Sequence, residues 1–316
     1  MFMTFEVIEP VLMIGLGGAG SKLTMEIKDS LKADFLLISN DKNDLDTHNS
    51  IEISTKSIIN PSVHLIRGCA LECSEKISKR ISEYATVIIM TNLAGKTGTA
   101  LSSIISSICK DQQKNVLSFA IMPFKFEKDR IFQSGLALKR LRMNSDCTII
   151  IDNDALLDSN PDLTPEKCYD ITNRAIHYIA TSVKSSHISE DTNILSTSKD
   201  VNDIETSLKD SISMLYENAT PNSIKRSMLY VYGGNNIPIG VINSISNMLG
   251  GIFEENNTHV DMSTSSSTNL VMLSAIKGET RFDKYDPLGI IPQEETIDWD
   301  DPECSIDCQL DIPQLE

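Results

Sequence analysis

The chain has 316 residues, 41% of them hydrophobic, enough for two globular units with real cores. The net charge of −16 argues against a nucleic-acid partner, and it is uneven: Glu279–Glu316 holds twelve acidic and two basic residues. No apolar run reaches membrane-spanning length, and the short run Val11–Ile14 has no basic residues before it, so the expectation is a cytoplasmic protein without direct membrane insertion.

The first half alternates β-type apolar runs with helical periodicity. Strands are predicted at Val11–Ile14, Phe35–Ser39, Thr86–Met90, Val116–Met122 and Thr148–Ile151. Between them lie predicted helices at Ser21–Leu31, Cys69–Glu83, Ala100–Lys110 and Phe132–Met143. This rhythm predicts an α/β fold with a doubly wound parallel sheet over residues 1–163, taking its ligand at the carboxyl ends of the strands. A long helical pattern, Glu166–Val183, connects this domain (central helix, 164–185) to a smaller α+β unit at 186–278. There helices are expected at Ile204–Tyr216 and Pro238–Leu249, and strands at Met228–Tyr232, His259–Met262 and Asn269–Ile276, with Ser263–Thr268 as a turn. Residues 279–316 read as an acidic, disordered tail.

Seven cysteines in a chain without an export signal read as reduced thiols. Cys69/Cys73 and Cys304/Cys308 lack the histidine or second pair that a metal site would need, so no metal ligands are assigned.

Two glycine-rich turns carry the chemistry. Gly15-Leu16-Gly17-Gly18-Ala19-Gly20 and Ala94-Gly95-Lys96-Thr97-Gly98-Thr99-Ala100 each follow a predicted strand and precede a predicted helix. Each brings bare N–H groups and a positive helix end to an anion, so the pair suggests a phosphate chain held from two sides. Taken alone, Gly15-x-Gly17-x-x-Gly20 with Asp41 also matches a dinucleotide fingerprint, which leaves an NAD-dependent enzyme as a competitor. That reading lacks an evident catalytic constellation, and it does not explain the second loop.

In combination these segments resemble the tubulin/FtsZ family, on the FtsZ side. Ile14–Ser21 resembles its first phosphate loop and Ala94–Ala100 its GGGTGTG signature; Asp41 with Leu45 resembles its NTD-type loop and Asn60-Pro61 its third loop. Met122–Glu127 resembles the KPFxFEG segment and Asp152–Leu157 the PNDxLL strand end. The resemblance implies that GTP or GDP, with Mg²⁺, is held by Gly15, Gly17, Gly18, Ala19, Gly20, Ser21, Asp41, Gly95, Lys96, Thr97, Gly98, Thr99, Glu127, Arg130 and Asn153. Glu127 would reach the ribose, Tyr169 would stack on the base and Asn173 would hydrogen-bond it. It further implies head-to-tail self-assembly linked to cell division or cell organisation. Gln309–Leu315 resembles the terminal peptide that docks on membrane-tethering partners, which makes Leu310–Leu315 the expected adaptor contact. A non-polymerising nucleotide-binding adaptor is the alternative.

The departures are specific. The family's catalytic NxDFxD loop is missing after the central helix: Asn193–Ser198 aligns best with the strand beyond it, and only Ser186–Asp191 stands in its place. Glu190 and Asp191 are the available acids, so GTP hydrolysis is expected to be weak or lost. Ser57-Ile58-Ile59 replaces a glycine-rich third loop, and Arg174 replaces an acid that would hold the guanine amine. Lys22, Lys96 and Lys128 add positive charge; Lys96 either pairs with a phosphate or points to solvent.

Overall fold

The structure, a computed structural model, describes residues 4–56, 59–184, 188–199, 204–232, 258–263 and 269–285. Strands β1 (Val11–Leu16), β2 (Asp34–Ser39), β3 (Ser50–Glu52), β4 (Thr86–Asn92), β5 (Asn115–Ile121) and β6 (Cys147–Ile151) form the first half of the sheet. They alternate with helices α1 (Gly17–Leu31), α2 (Val63–Glu72), α3 (Ser74–Ile81), α4 (Lys96–Asp111) and α5 (Lys128–Asn144). Then come α6 (Asn153–Ser159), α7 (Pro165–Ser182), β7 (Asp191–Thr197), α8 (Ile204–Asn218), β8 (Ile224–Tyr232), β9 (Thr258–Ser263) and β10 (Asn269–Ile276). A 3₁₀ turn at Arg281–Tyr285 follows.

All ten strands share one sheet in the order β3-β2-β1-β4-β5-β6-β7-β10-β8-β9. From β3 through β7 every neighbouring pair is parallel. The order reverses between β1 and β4, which opens a crevice at their carboxyl ends where the two glycine-rich turns lie. β10 is antiparallel to both β7 and β8.

Helices cover both faces, so the parallel strands carry apolar side chains on both sides rather than an apolar–polar alternation. Leu12, Ile14, Val87 and Ile89 point to the core shared with α2, α3, α4, α5 and α8. Their neighbours Met13, Ile88 and Met90 point the opposite way, to a second core closed by Leu23 and Ile27 of α1 and Ile176 and Ile179 of α7. A smaller core of Phe124, Ala155, Leu156, Cys168, Ile171 and Met214 joins α6, α7 and α8 at the carboxyl end of β6.

Three features differ from the sequence reading. The helix expected over Cys69–Glu83 is two helices, broken at Cys73, which adopts φ −93° and ψ 0° and serves as both C-cap and N-cap. Helix α1 begins at Gly17, so the glycines are its first turn rather than a loop before it. The edge strand β3 is only three residues long, too short to leave a periodic signature.

The central helix ends where expected, and β7 follows with no helix between among the described residues. With so short a connection, β7 pairs directly with β6 over five positions, and the second unit's strands continue the first unit's sheet. Of the disordered tail expected over 279–316, Arg281–Tyr285 is instead a 3₁₀ turn with Phe282 buried, while residues 286–316 with Cys304/Cys308, and the helix expected at Pro238–Leu249, lie outside the described residues. No helix among the described residues is long and apolar enough to cross a membrane.

Candidate functional site

The site is built by two helix N-termini. Helix α1 starts after Leu16 and α4 after Gly95; neither has a side-chain cap or an acid in its first turn. Each leaves first-turn N–H groups without an intrahelical acceptor, which together with the helix dipole makes an anion site. The two turns touch: a Cβ built at Gly17 would stand 3.1 Å from the Thr97 Cβ. Gly17 also has φ +68°, a left-handed conformation that favours glycine. Gly18 and Ala19, in the first turn of α1, are exposed.

Other glycines serve the scaffold. A Cβ at Gly20 would lie 2.3 Å from the Met90 carbonyl oxygen, and one at Gly98 would lie 2.2 Å from that of Asn92, so each turn sits tightly on β4. Gly15 likewise abuts Gly20 and Ser21. The Thr99 hydroxyl donates to the Leu93 and Gly95 carbonyls at 2.7 and 2.9 Å and shapes its own loop. Ser134 of α5 donates to the same Leu93 carbonyl at 2.6 Å.

Side chains from neighbouring loops brace the mouth. The Thr97 hydroxyl donates to Asn40 Oδ1, and Lys96 Nζ donates to Asn60 Oδ1 at 2.7 Å, so Lys96 ties the second loop to the third. Asp41, exposed, accepts from the Asn43 backbone and side chain at 2.9 and 3.0 Å and holds its own turn. Asp44, three residues on, is the carboxylate that reaches the first loop: its Oδ1 is 2.8 Å from a Cβ built at Gly18, and its Oδ2 accepts from Ser39 Oγ at 2.7 Å. The sequence reading missed Asp44; its signal is the 3₁₀ turn Lys42–Asp44 that Asp41 caps.

On the β5 side, Glu127 accepts from the Phe124 N–H at 3.0 Å and from Arg130 Nη1 at 2.9 Å. The same Arg130 nitrogen donates to the Ala94 carbonyl at 2.9 Å, fixing the expected ribose carboxylate to the second phosphate loop. Phe126 stacks on Phe124 with ring centres 5.1 Å apart, and Tyr169 meets Phe124 edge-on at 5.3 Å. Burial first, then the nearby Glu127 charge, pushes the Tyr169 phenol up to about 12, so it stays neutral. A cavity of about 430 Å³ between α1 and α7 is lined by Lys22, Glu26, Asp170, Asn173, Arg174 and His177.

Beyond β6, Asp152 is fully buried and forms an ion pair with Arg281, Oδ2 to Nη2 at 2.6 Å, without hydrogen-bond alignment. Burial pushes the Asp152 carboxyl up to about 6 against the opposing Arg281 charge. Burial also raises Asp154, whose carboxylate accepts from the Lys125 N–H. Asn153 between them is fully buried with neither side-chain polar atom partnered.

Two predicted residues lie elsewhere. Asp191 opens β7 opposite Cys147 at the start of β6, so Glu190 and Asp191 sit at the amino ends of the strands, the pole away from the phosphate loops. Asp191 forms an ion pair with Lys225 at 2.6 Å. Among the described residues no three His, Cys, Asp or Glu side chains converge as a metal site, and Cys69 and Cys73 are free thiols.

The first-turn N–H groups of α1 and α4, without side-chain caps or acids, suit an anion such as a phosphate. The buried hydroxyls of Ser21 and Thr91 beside these turns, like Asn153, have no partner.

A family model described as Tubulin/FtsZ family, GTPase domain, matches residues 10–161. Cell division protein FtsZ 2 of Halobacterium salinarum is 27% identical over 180 residues, covering 52% of this chain and 44% of that protein. FtsZ of Aquifex aeolicus is 30% identical over 174 residues, 50% of this chain and 47% of its own length. The chain thus aligns with less than half the length of these curated relatives. Among solved structures, FtsZ of M. jannaschii (W319Y mutant) superposes with a TM-score of 0.68 at 17% identity, covering 85% of this chain and 91% of that one. A GTPγS-bound protofilament of CetZ2 from Haloferax volcanii gives 0.64 at 13%, covering 89% and 98%. With the two glycine-rich turns meeting at the sheet's switch point, residues 10–161 matching the tubulin/FtsZ GTPase domain and the FtsZ fold shared over most of the length, the chain is a divergent FtsZ-like protein.

Proposed function

We propose that this protein binds GTP, with Mg²⁺, in the crevice between α1 and α4, and that it assembles head to tail into filaments serving cell division or cell organisation. The observation that supports the reading is the contact of Gly17 with Thr97, which sets two uncapped helix N-termini side by side, where one phosphate chain could meet both. Family membership supports guanine nucleotide as the ligand, and a protofilament among the structural neighbours supports self-association.

Hydrolysis is weak in this reading. A bound phosphate chain needs a group that orients the attacking water, and in a head-to-tail polymer that group comes from the lower pole of the next subunit. Here the lower pole offers Asp191 already neutralised by Lys225, with Glu190 beside it, in place of a dedicated acidic loop. The supporting residues divide the rest of the work: Arg130 steadies Glu127, and Lys96 braces the third loop through Asn60 rather than standing free toward a phosphate. The C-terminal segment Leu310–Leu315 would dock on a membrane-tethering adaptor.

The test is mass spectrometry of the small molecule released on denaturing the purified protein, followed by sedimentation with and without GTP. Retained GTP and GTP-dependent pelleting are expected. Retained NAD would overturn the reading, and a nucleotide-bound monomer that never pellets would replace the filament with an adaptor.

A further inference from the structure

The amino ends of the strands carry a charged hollow that nucleotide binding does not use. A cavity of about 430 Å³ opens there between the end of α5, the starts of β6, β7 and β8, and the turn after β10. Its cationic lining is Lys139, Arg142, Lys225 and Lys277. Its carboxylates are already engaged: Asp283 by Arg142 at 2.8 Å, Asp191 by Lys225 at 2.6 Å and Asp146 by the Val116 N–H at 2.7 Å. Lys277 is exposed and has no ion-pair partner among the described residues. Met143 adds an apolar wall that is 65% exposed.

Positive charge beside bare apolar surface suits an acidic segment that carries a large apolar side chain, and this chain supplies one. Residues 286–316 hold ten acidic side chains and no Lys or Arg. Within them Trp299, the chain's one tryptophan, stands between Asp298 and Asp300. The last described turn, Arg281–Tyr285, starts that segment at the cavity, because Asp283 is itself part of the lining. Trp299 follows Tyr285 by 14 residues, roughly 45 Å of extended chain, so it can reach back into the hollow. A tether of this kind keeps the local concentration in the millimolar range, so weak ionic and apolar contacts suffice.

We propose that the acidic segment around Trp299 folds back into this cavity of its own chain, with Asp298 and Asp300 on the lysines and the indole against Met143. The docked segment covers the pole at which Asp191 lies. Head-to-tail assembly, which brings that pole to the next subunit, is thereby held back until the segment is released. That consequence rests on the filament reading above, whereas the docking itself does not.

Acrylamide quenching of Trp299 tests the docking on the full chain without nucleotide. In wild type the quenching constant should be at least about threefold lower in dilute buffer than in about 1 M NaCl, where charges are screened within a few ångströms. It should not change with protein concentration. Lys139→Glu with Lys277→Glu, both exposed positions, should raise quenching in dilute buffer to the high-salt value. Asp298→Asn with Asp300→Asn should do the same and serves if the lysine variant folds poorly by circular dichroism. Equal quenching of wild type and both variants overturns the docking, and shielding that appears only as protein concentration rises overturns it in favour of a second copy. Sedimentation with GTP tests the consequence: Asp298→Asn with Asp300→Asn should pellet at an at least about twofold lower protein concentration than wild type. An unchanged threshold overturns the restraint on assembly. Absence of pelleting in every variant overturns the filament reading and that restraint together, while the quenching result still decides the docking.

Discussion

Arg281 reaches from the last described turn of the chain to the carboxyl end of β6, where its guanidinium lies 2.6 Å from the fully buried Asp152 carboxylate. Residues 129 positions apart in sequence thereby join the C-terminal segment to the strand end that carries Asn153. Removing one partner of a buried pair strands the other charge. Arg281→Ala is therefore expected to lower unfolding free energy by about 3–5 kcal/mol, measured by urea denaturation. Asp152→Asn, which keeps the shape and drops the charge, should cost clearly less.

The same carboxylate gives stability a pH dependence of defined sign. Burial raises the folded-state pKa of Asp152 to about 6, above the value of 3.8 taken for the unfolded chain. The folded state therefore holds this proton more tightly, so the contribution is fully present below pH 3.8 and is lost as pH rises through about 6. Urea midpoints between pH 4 and 7 should show a falling component in wild type that is absent in Asp152→Asn.

One glycine from each loop predicts steric, not chemical, loss. Gly98→Ala would press a methyl group to 2.2 Å from the Asn92 carbonyl oxygen, and that oxygen belongs to backbone that cannot swing aside. The substitution should destabilise the fold by about 1–3 kcal/mol and weaken GTP binding, read by thermal melts and equilibrium binding. Gly17→Ala, where the constraint is φ +68°, should cost about 1–2 kcal/mol.

Turnover tests the lower pole. Purified protein should hydrolyse GTP slowly, and what remains should fall at least about tenfold in Glu190→Ala or Asp191→Ala, with GTP affinity unchanged because neither residue is near the phosphate loops. Robust turnover that both substitutions leave untouched would place the water-orienting group elsewhere.

Much of this was legible in sequence. The apolar runs that became β1, β4, β5 and β6 are short, β-branched and bounded by turn residues, and burial on both faces left them no competing pattern. The two glycine turns were legible because bare backbone at a helix start needs specific residues in a row. Asp44 was not, because local spacing cannot say which of two nearby carboxylates in a tight turn faces the neighbouring helix.

The sequence by itself determined the alternation of β1, β2, β4, β5 and β6 with helices and the two glycine-rich turns at helix starts. All of these depend on residues adjacent in the chain, whose propensities act locally. Only the tertiary structure decided that Gly17 meets Thr97, that Asp44 rather than Asp41 reaches the first loop, that β7 extends the sheet from β6 and that Arg281 neutralises Asp152. Those are contacts between distant segments, fixed by how both faces of one sheet are packed, and no short stretch of chain encodes them.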